Sequence, residues 1–183
     1  MQVQKKLFTL FLFLSSHYIQ ANAQVEVAYL NSKEFSAAGF GAFLNFALPV
    51  SETGAITAEA GFYYFKRDEN NVAIVPFLVG YRHMLQEGGS GFYLEPNAGY
   101  NIGGTDIQKY NEVGSPIPDG NGGWLEQQVK GFTTGVGVGY IFPGSFALNI
   151  GLRYQRVFVS VDPSLNLFSL RLSRPLSFGR RND

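Results

Sequence analysis

A period-two alternation of apolar with small or polar residues runs through nearly everything after Gln24 and constrains this chain more than any other feature. Successive side chains of a strand point to opposite faces, so the pattern specifies a sheet with two chemically different sides. It is clearest over 146–156, where Phe146, Leu148, Ile150, Leu152 and Tyr154 alternate with Ala147, Asn149, Gly151, Arg153 and Gln155. Over 131–142 the second phase is mostly glycine: Gly131, Gly135, Gly137 and Gly139. The spacing predicts strands near 25–31, 35–48, 54–66, 72–85, 91–104, 127–142, 145–158 and 164–179. Most exceed the globular mean of about 5–6 residues and suit the roughly 9–11 residues a tilted strand needs to cross a bilayer. The expected fold is all-β: a closed, antiparallel, up-and-down transmembrane β-barrel of about eight strands. Pro76 and Pro96 fall inside these strands and cannot donate to a ladder, so each should mark a bulge or an unpaired position.

Composition narrows the class of function. Charged residues make up 15% of the 183, against about 25% in an ordinary soluble domain, and aromatics make up another 15%. Formal net charge is zero, which gives no basic excess to attract a phosphate backbone, so nucleic acid is not an expected partner. Cysteine is absent, which excludes disulfides, thiolate catalysis and a lipid-modified N-terminal cysteine.

The N-terminus reads as an address. Lys5 and Lys6 precede the apolar run 7–14, and Ala21-Asn22-Ala23 supplies small residues three apart, the three parts of a secretory signal peptide. The run is too short for a membrane-spanning helix, which needs about 20 residues. The expected division is a signal at 1–23, cleaved near Ala23, and a barrel domain at 24–183.

Alternation alone does not say which face points outward. The polar phase holds Gly, Asn, Ser, Thr and Tyr with a few charges, namely Glu59, Arg82, Glu95, Arg153 and Arg171. Small residues suit the narrow interior of an eight-stranded barrel. Each Arg facing lipid at mid-depth would cost roughly 2–4 kcal/mol, and the set of order 10 kcal/mol. These five should therefore form a polar network inside the lumen that leaves no open pore. Arg82 and Glu95 flank the turn at 86–90 at nearly matched distances and should lie almost opposite each other. Arg153 and Arg171 are similarly matched across 159–163 and need an acid, for which Glu59 is the candidate from across the lumen. Tyr64, Tyr81, Tyr100, Tyr140, Phe142, Phe146 and Phe158 near strand ends fit aromatic girdles.

With an even number of strands and a periplasmic N-terminus, the longest connection, 105–126, falls on the outer side. Within it Tyr110 and Trp124, the single Trp, are candidate contacts for a surface partner. Asp119-Gly120-Asn121 has the start of a calcium loop without its later bidentate Glu, so no metal is expected there. Beyond the signal, His83 is the sole histidine, beside Arg82 and Met84 near a strand end. With no Gly-x-Ser-x-Gly, phosphate loop or metal-ligand spacing, neither an enzyme nor a cofactor is expected.

The strands 39–43 (Gly-Phe-Gly-Ala-Phe), 94–100 (Leu-Glu-Pro-Asn-Ala-Gly-Tyr), 135–140 (Gly-Val-Gly-Val-Gly-Tyr) and 149–154 (Asn-Ile-Gly-Leu-Arg-Tyr) resemble the outer membrane protein β-barrel domain family, small porin-like barrels of Gram-negative envelopes. The resemblance covers about Gln24 to Arg180. It implies an outer-membrane location, contact with outer-membrane lipids and insertion by the barrel-assembly machinery. That machinery reads a final aromatic residue, and here Phe178 is followed by five more residues. The role implied is non-enzymatic, structural or surface-binding. The competing reading is a soluble periplasmic or secreted lipocalin-like barrel with a small apolar ligand inside.

Overall fold

The computed structural model describes residues 20–32, 36–67, 70–103, 106–108, 115, 117–123, 126–144, 147–159 and 164–176. Eight strands close into one antiparallel barrel: β1 (Gln20–Asn31), β2 (Ser36–Pro49), β3 (Gly54–Arg67), β4 (Asn70–Met84), β5 (Gly91–Gly103), β8 (Gly131–Ile141), β9 (Asn149–Val159) and β10 (Leu165–Pro175). Every strand pairs with its sequence neighbour in the wall, and β1 pairs with β10 over Asn22↔Pro175 to Asn31↔Asn166, so no edge is left open. Two short strands, β6 (Asp106–Gln108) and β7 (Glu126–Gln128), pair with each other in the connection between β5 and β8.

This last pair corrects the expectation for 127–142. Residues 126–128 pair with 106–108 instead, and the barrel strand starts at Gly131. Likewise β9 begins at Asn149 rather than 145, because Gly144 (φ 104°) and Ala147 (φ 35°) turn the chain and Phe142 N–H donates to the Leu148 carbonyl. The expected end of the last strand, including Phe178, lies outside the described residues. β1 begins at Gln20, ahead of the cleavage point expected near Ala23.

Pairing fixes the shape. A walk through opposite residues runs Asn31, Asn166, Arg156, Thr134, Ala98, Val79, Ala58, Phe46 and returns to β1 at Ala21, ten residues lower. Ten residues of stagger over eight strands, at about 3.3 Å rise and about 4.8 Å spacing, tilt the strands by roughly 40°.

Both internal prolines interrupt a ladder without shifting its register. Pairing of β3 with β4 lapses between Ala60↔Phe77 and Tyr63↔Ile74, beside Pro76. Pairing of β4 with β5 lapses between Gly80↔Asn97 and His83↔Leu94, beside Pro96. The missing N–H removes a rung, and the opposite neighbour of each proline still pairs (Pro76↔Asn101, Pro96↔Val136).

The barrel has a turn end, where 50–53, 85–90 and 142–144 lie, and a loop end from which the longer connection between β5 and β8 leaves. At the turn end Gly88 and Gly89 adopt φ of 89° and 70°, a conformation open to glycine at little steric cost.

The outer wall is mainly apolar, and the buried charged side chains of the strands lie on the inner wall. Along β1, Val27 is 66% exposed while its neighbour Glu26 is 2% exposed. Val25, Phe40, Leu44, Val79, Leu152 and Leu170 face outward, while Gln24, Glu59, Arg82, Glu95, Arg153 and Arg171 are buried inside. Such a surface would aggregate in water and is matched by hydrocarbon. A lipocalin-like barrel requires the opposite phase.

Candidate functional site: the charged lumen

All five charged residues singled out from the sequence point into the lumen and are buried there: Glu59 on β3, Arg82 on β4, Glu95 on β5, Arg153 on β9 and Arg171 on β10. A sixth, Glu26 on β1, was not among them. Its signal is present in the sequence, since Val25-Glu26-Val27-Ala28-Tyr29 alternates like the rest, but the expected strand 25–31 places Glu26 at its very start, whereas β1 begins at Gln20. The six balance as three carboxylates and three guanidinium groups.

They form two connected groups. Arg82 Nε donates to Glu95 Oε2 at 2.5 Å, and Arg171 Nη1 donates to Glu95 Oε1 at 3.2 Å, so one carboxylate sits between two arginines. Gly80↔Asn97 and His83↔Leu94 place Arg82 and Glu95 opposite each other, at the rungs that Pro96 interrupts. Arg153 spans the other group, donating through Nη1 to Glu59 and through Nη2 to Glu26. The acid for Arg171 is thus Glu95 and not Glu59, which corrects the assignment made from spacing. Ser169↔Arg153 and Arg171↔Gly151 explain why: the two arginines are offset by two residues and reach different levels.

Neutral side chains extend the network across the lumen. Tyr63 Oη donates to Glu26 Oε2 at 2.5 Å and lies 3.1 Å from Gln155 Oε1. Gln24 Nε2 donates to Glu26 at 2.7 Å and to Glu59 at 3.1 Å, and Asn45 Nδ2 donates to Glu59 at 3.3 Å. Nearer the turn end, Tyr93 Oη donates to Asn149 Oδ1 at 3.0 Å, and the Arg82 guanidinium lies 4.9 Å from the Tyr93 ring centroid. Charge-assisted bonds in a low-dielectric interior are the strong ones, and an unpaired member would carry the full cost of its burial.

The glycine phase of β8 and β9 makes room for these side chains. A Cβ at Gly137 would lie 2.6 Å from Arg171 Nη2, and one at Gly139 would lie 2.5 Å from Tyr93 Oη. One at Gly151 would lie 2.7 Å from the same oxygen. The glycine stripe is the wall against which the network lies flat.

Toward the loop end the inner face changes character. Ala28, Leu30, Ala37, Phe65, Val72, Ile74, Val129, Val157, Leu165 and Leu167 pack there as a buried apolar cluster, which Phe43 and Tyr63 join from below. The polar network expected from the sequence thus occupies one storey of the lumen, beneath an apolar storey that the expectation did not include.

His83 faces the other way. It is exposed on the outer wall at the turn end, while Arg82 beside it points inward, so Glu59 and Glu95 lie across the wall from it. Among the described residues no three His, Asp or Glu side chains are grouped to hold a metal. Tyr110 and Trp124 lie outside the described residues. Asp119 accepts from the backbone N–H of Asn121 (2.7 Å) and of Gly123 (2.9 Å), so this carboxylate closes its own turn.

Closure, parity and an apolar exterior around a charged interior define a transmembrane β-barrel of the small eight-stranded class. The solved structures it is similar to are of that class. Neisserial surface protein A matches over 87% of this chain and 97% of its own, with TM-score 0.61 and 15% identity. Ail, the attachment invasion locus protein of Yersinia pestis, matches over 86% and 97%, with TM-score 0.59 and 10% identity. The outer membrane enzyme PagL matches over 85% and 99%, with TM-score 0.54 and 15% identity. At these identities the likeness is one of fold. No family model matches the sequence, and no curated protein sequence does.

Proposed function

We propose that this chain is a non-enzymatic, non-conducting outer-membrane barrel with a structural or surface-binding role, displaying its loop end outward. The observation that carries the reading is the charge-balanced network crossing the lumen from Glu26 and Glu59 through Arg153, beside Arg82, Glu95 and Arg171. A hydrated channel needs polar walls around free space, whereas here each of the six charged groups is paired with another inside the lumen and apolar side chains close the level above. Residues 1–23 act as an export signal, outer-membrane lipids surround the apolar wall, and the barrel-assembly machinery inserts the chain. Tyr110 and Trp124 in the long outer connection are the proposed contacts for a surface partner.

PagL shows that this fold can carry catalysis. The non-enzymatic reading of the present chain rests on His83, which stands on the opposite face of the wall from the lumen carboxylates Glu59 and Glu95. The test is conductance after reconstitution in planar bilayers. Folded, heat-modifiable protein should add no steps, and steps of hundreds of picosiemens would overturn the plugged lumen. Fractionation of the producing cell tests location separately.

A further inference from the structure

On the outer wall, three rows of residues stack across β8, β9 and β10. Val138, Leu152 and Leu170 form one row by direct pairing, and Val136, Tyr154 and Phe168 form the next toward the loop end. Together they line an apolar groove of about 450 Å³. The row above is polar: Thr134, Arg156 and Asn166. Tyr154 lifts its hydroxyl into that row, donating to Asn166 Oδ1 at 2.8 Å.

Arg156 is an exposed cation directly above the apolar rows of this face. It alternates with the buried Gln155 and Val157, so it stands on the lipid side. Its Nε donates to Ser164 Oγ at 2.8 Å, and its guanidinium carbon lies 5.4 Å from the Phe158 ring centroid. One residue before β8, on the phase of Phe132 and Thr134, Lys130 is exposed at the loop end. An arginine fork is suited to phosphate, and a groove directly beneath it is suited to an acyl chain. In the opposite sector Phe40 and Tyr64 occupy the matching outward positions of β2 and β3, and the exposed cation there, Lys66, is a lysine and stands one row nearer the loop end.

We propose that Thr134, Arg156, Asn166 and the groove beneath them form a site for one phosphorylated glycolipid of the outer leaflet, of lipid A type. Its phosphate meets Arg156, and one acyl chain runs down between Val136, Tyr154 and Phe168. Charge complementarity selects an anionic head, and placement toward the loop end selects the outer leaflet. The proposal rests on the outer-membrane reading of the loop end.

The experiment uses the folded full-length barrel in detergent, with heat-modifiable mobility checked in every sample. Binding of lipid A, dephosphorylated lipid A and phosphatidylglycerol is measured by native mass spectrometry and by titration. Lipid A should bind at one per barrel, and Arg156→Glu should weaken it at least tenfold with mobility unchanged. Dephosphorylation should weaken binding to a similar extent. Arg156→Gln serves if the glutamate variant does not fold, with a smaller loss of severalfold. Lipid A affinity unchanged within twofold in either folded variant would overturn the site, as would phosphatidylglycerol binding as tightly as lipid A. Protein that is monomeric without detergent would instead refute the membrane reading itself.

Discussion

The two storeys of the lumen are built from the same alternating strands and solve the same packing problem with opposite chemistry. Toward the turn end, Arg82, Glu95, Arg171, Arg153, Glu59 and Glu26 fill the interior by pairing charges. Toward the loop end, Leu30, Phe65, Ile74, Val157 and Leu167 fill it as a soluble core would. The join passes through single side chains. Tyr63 presents its ring to Phe43 and Phe65, with centroids 4.8 and 5.8 Å away, and its hydroxyl to Glu26. The contrast teaches that an interior closed on all sides needs only complementarity, and either kind of side chain provides it. The two kinds differ in how they fail. An apolar vacancy costs contacts and transfer energy, while a missing ion partner leaves a charge with nowhere to go.

The largest expected effect comes from that second failure. Arg153→Met removes the cation shared by Glu26 and Glu59 and should cost about 3–5 kcal/mol, the usual penalty for stranding a buried charge. Urea unfolding of the barrel folded into lipid vesicles measures it. Adding Glu26→Gln and Glu59→Gln should recover much of the loss. A loss below 1 kcal/mol would show that the polar storey is solvated and not closed.

The apolar storey should respond by a different route. Phe65 is fully buried, and Phe65→Ala should cost about 3–5 kcal/mol through the cavity it leaves. No charge substitution elsewhere should rescue it. Because the ion network below remains intact, this variant should still show no conductance, whereas open-channel steps would assign the seal to the apolar storey alone.

The wall's orientation predicts a third, slightly smaller effect. Val79 is exposed on the outer face midway along β4, opposite Ala58 and Ala98. Val79→Arg should destabilise the vesicle-inserted barrel by about 2–4 kcal/mol, the depth-dependent cost of an arginine at mid-bilayer. Little change would mean that this face meets water.

Most of the fold was legible because alternation ties every residue of a strand to one face. Once Val25 or Leu152 is placed outside, Glu26 and Arg153 follow inside. What the pattern could not show was partner choice across the lumen. Arg153 and Arg171 look equivalent in sequence, yet the stagger of the strands sets them at different levels, so one meets Glu59 and Glu26 and the other Glu95. Nor could it show the apolar storey. Leu30, Phe65 and Leu165 sit in the phase that carries charges lower down, so near the loop end both faces are greasy and the alternation fades. The boundary at Gly131 was hidden for a related reason, since 126–128 take strand form but pair outside the barrel wall.

The smallest effect tests whether the glycine stripe exists for the polar storey. Tyr93 lies across Gly139 and Gly151, and an added methyl at Gly139 would meet its hydroxyl at 2.5 Å and the Ile150 carbonyl at 2.7 Å. Gly139→Ala should therefore cost about 1–3 kcal/mol, as overpacking does. If the stripe serves the network, Tyr93→Ala should remove part of that cost, so the double variant loses less than the two single losses combined. If the two losses simply add, the strain lies against the Ile150 backbone. Glycine would then be required there by the wall itself, whatever storey it faces.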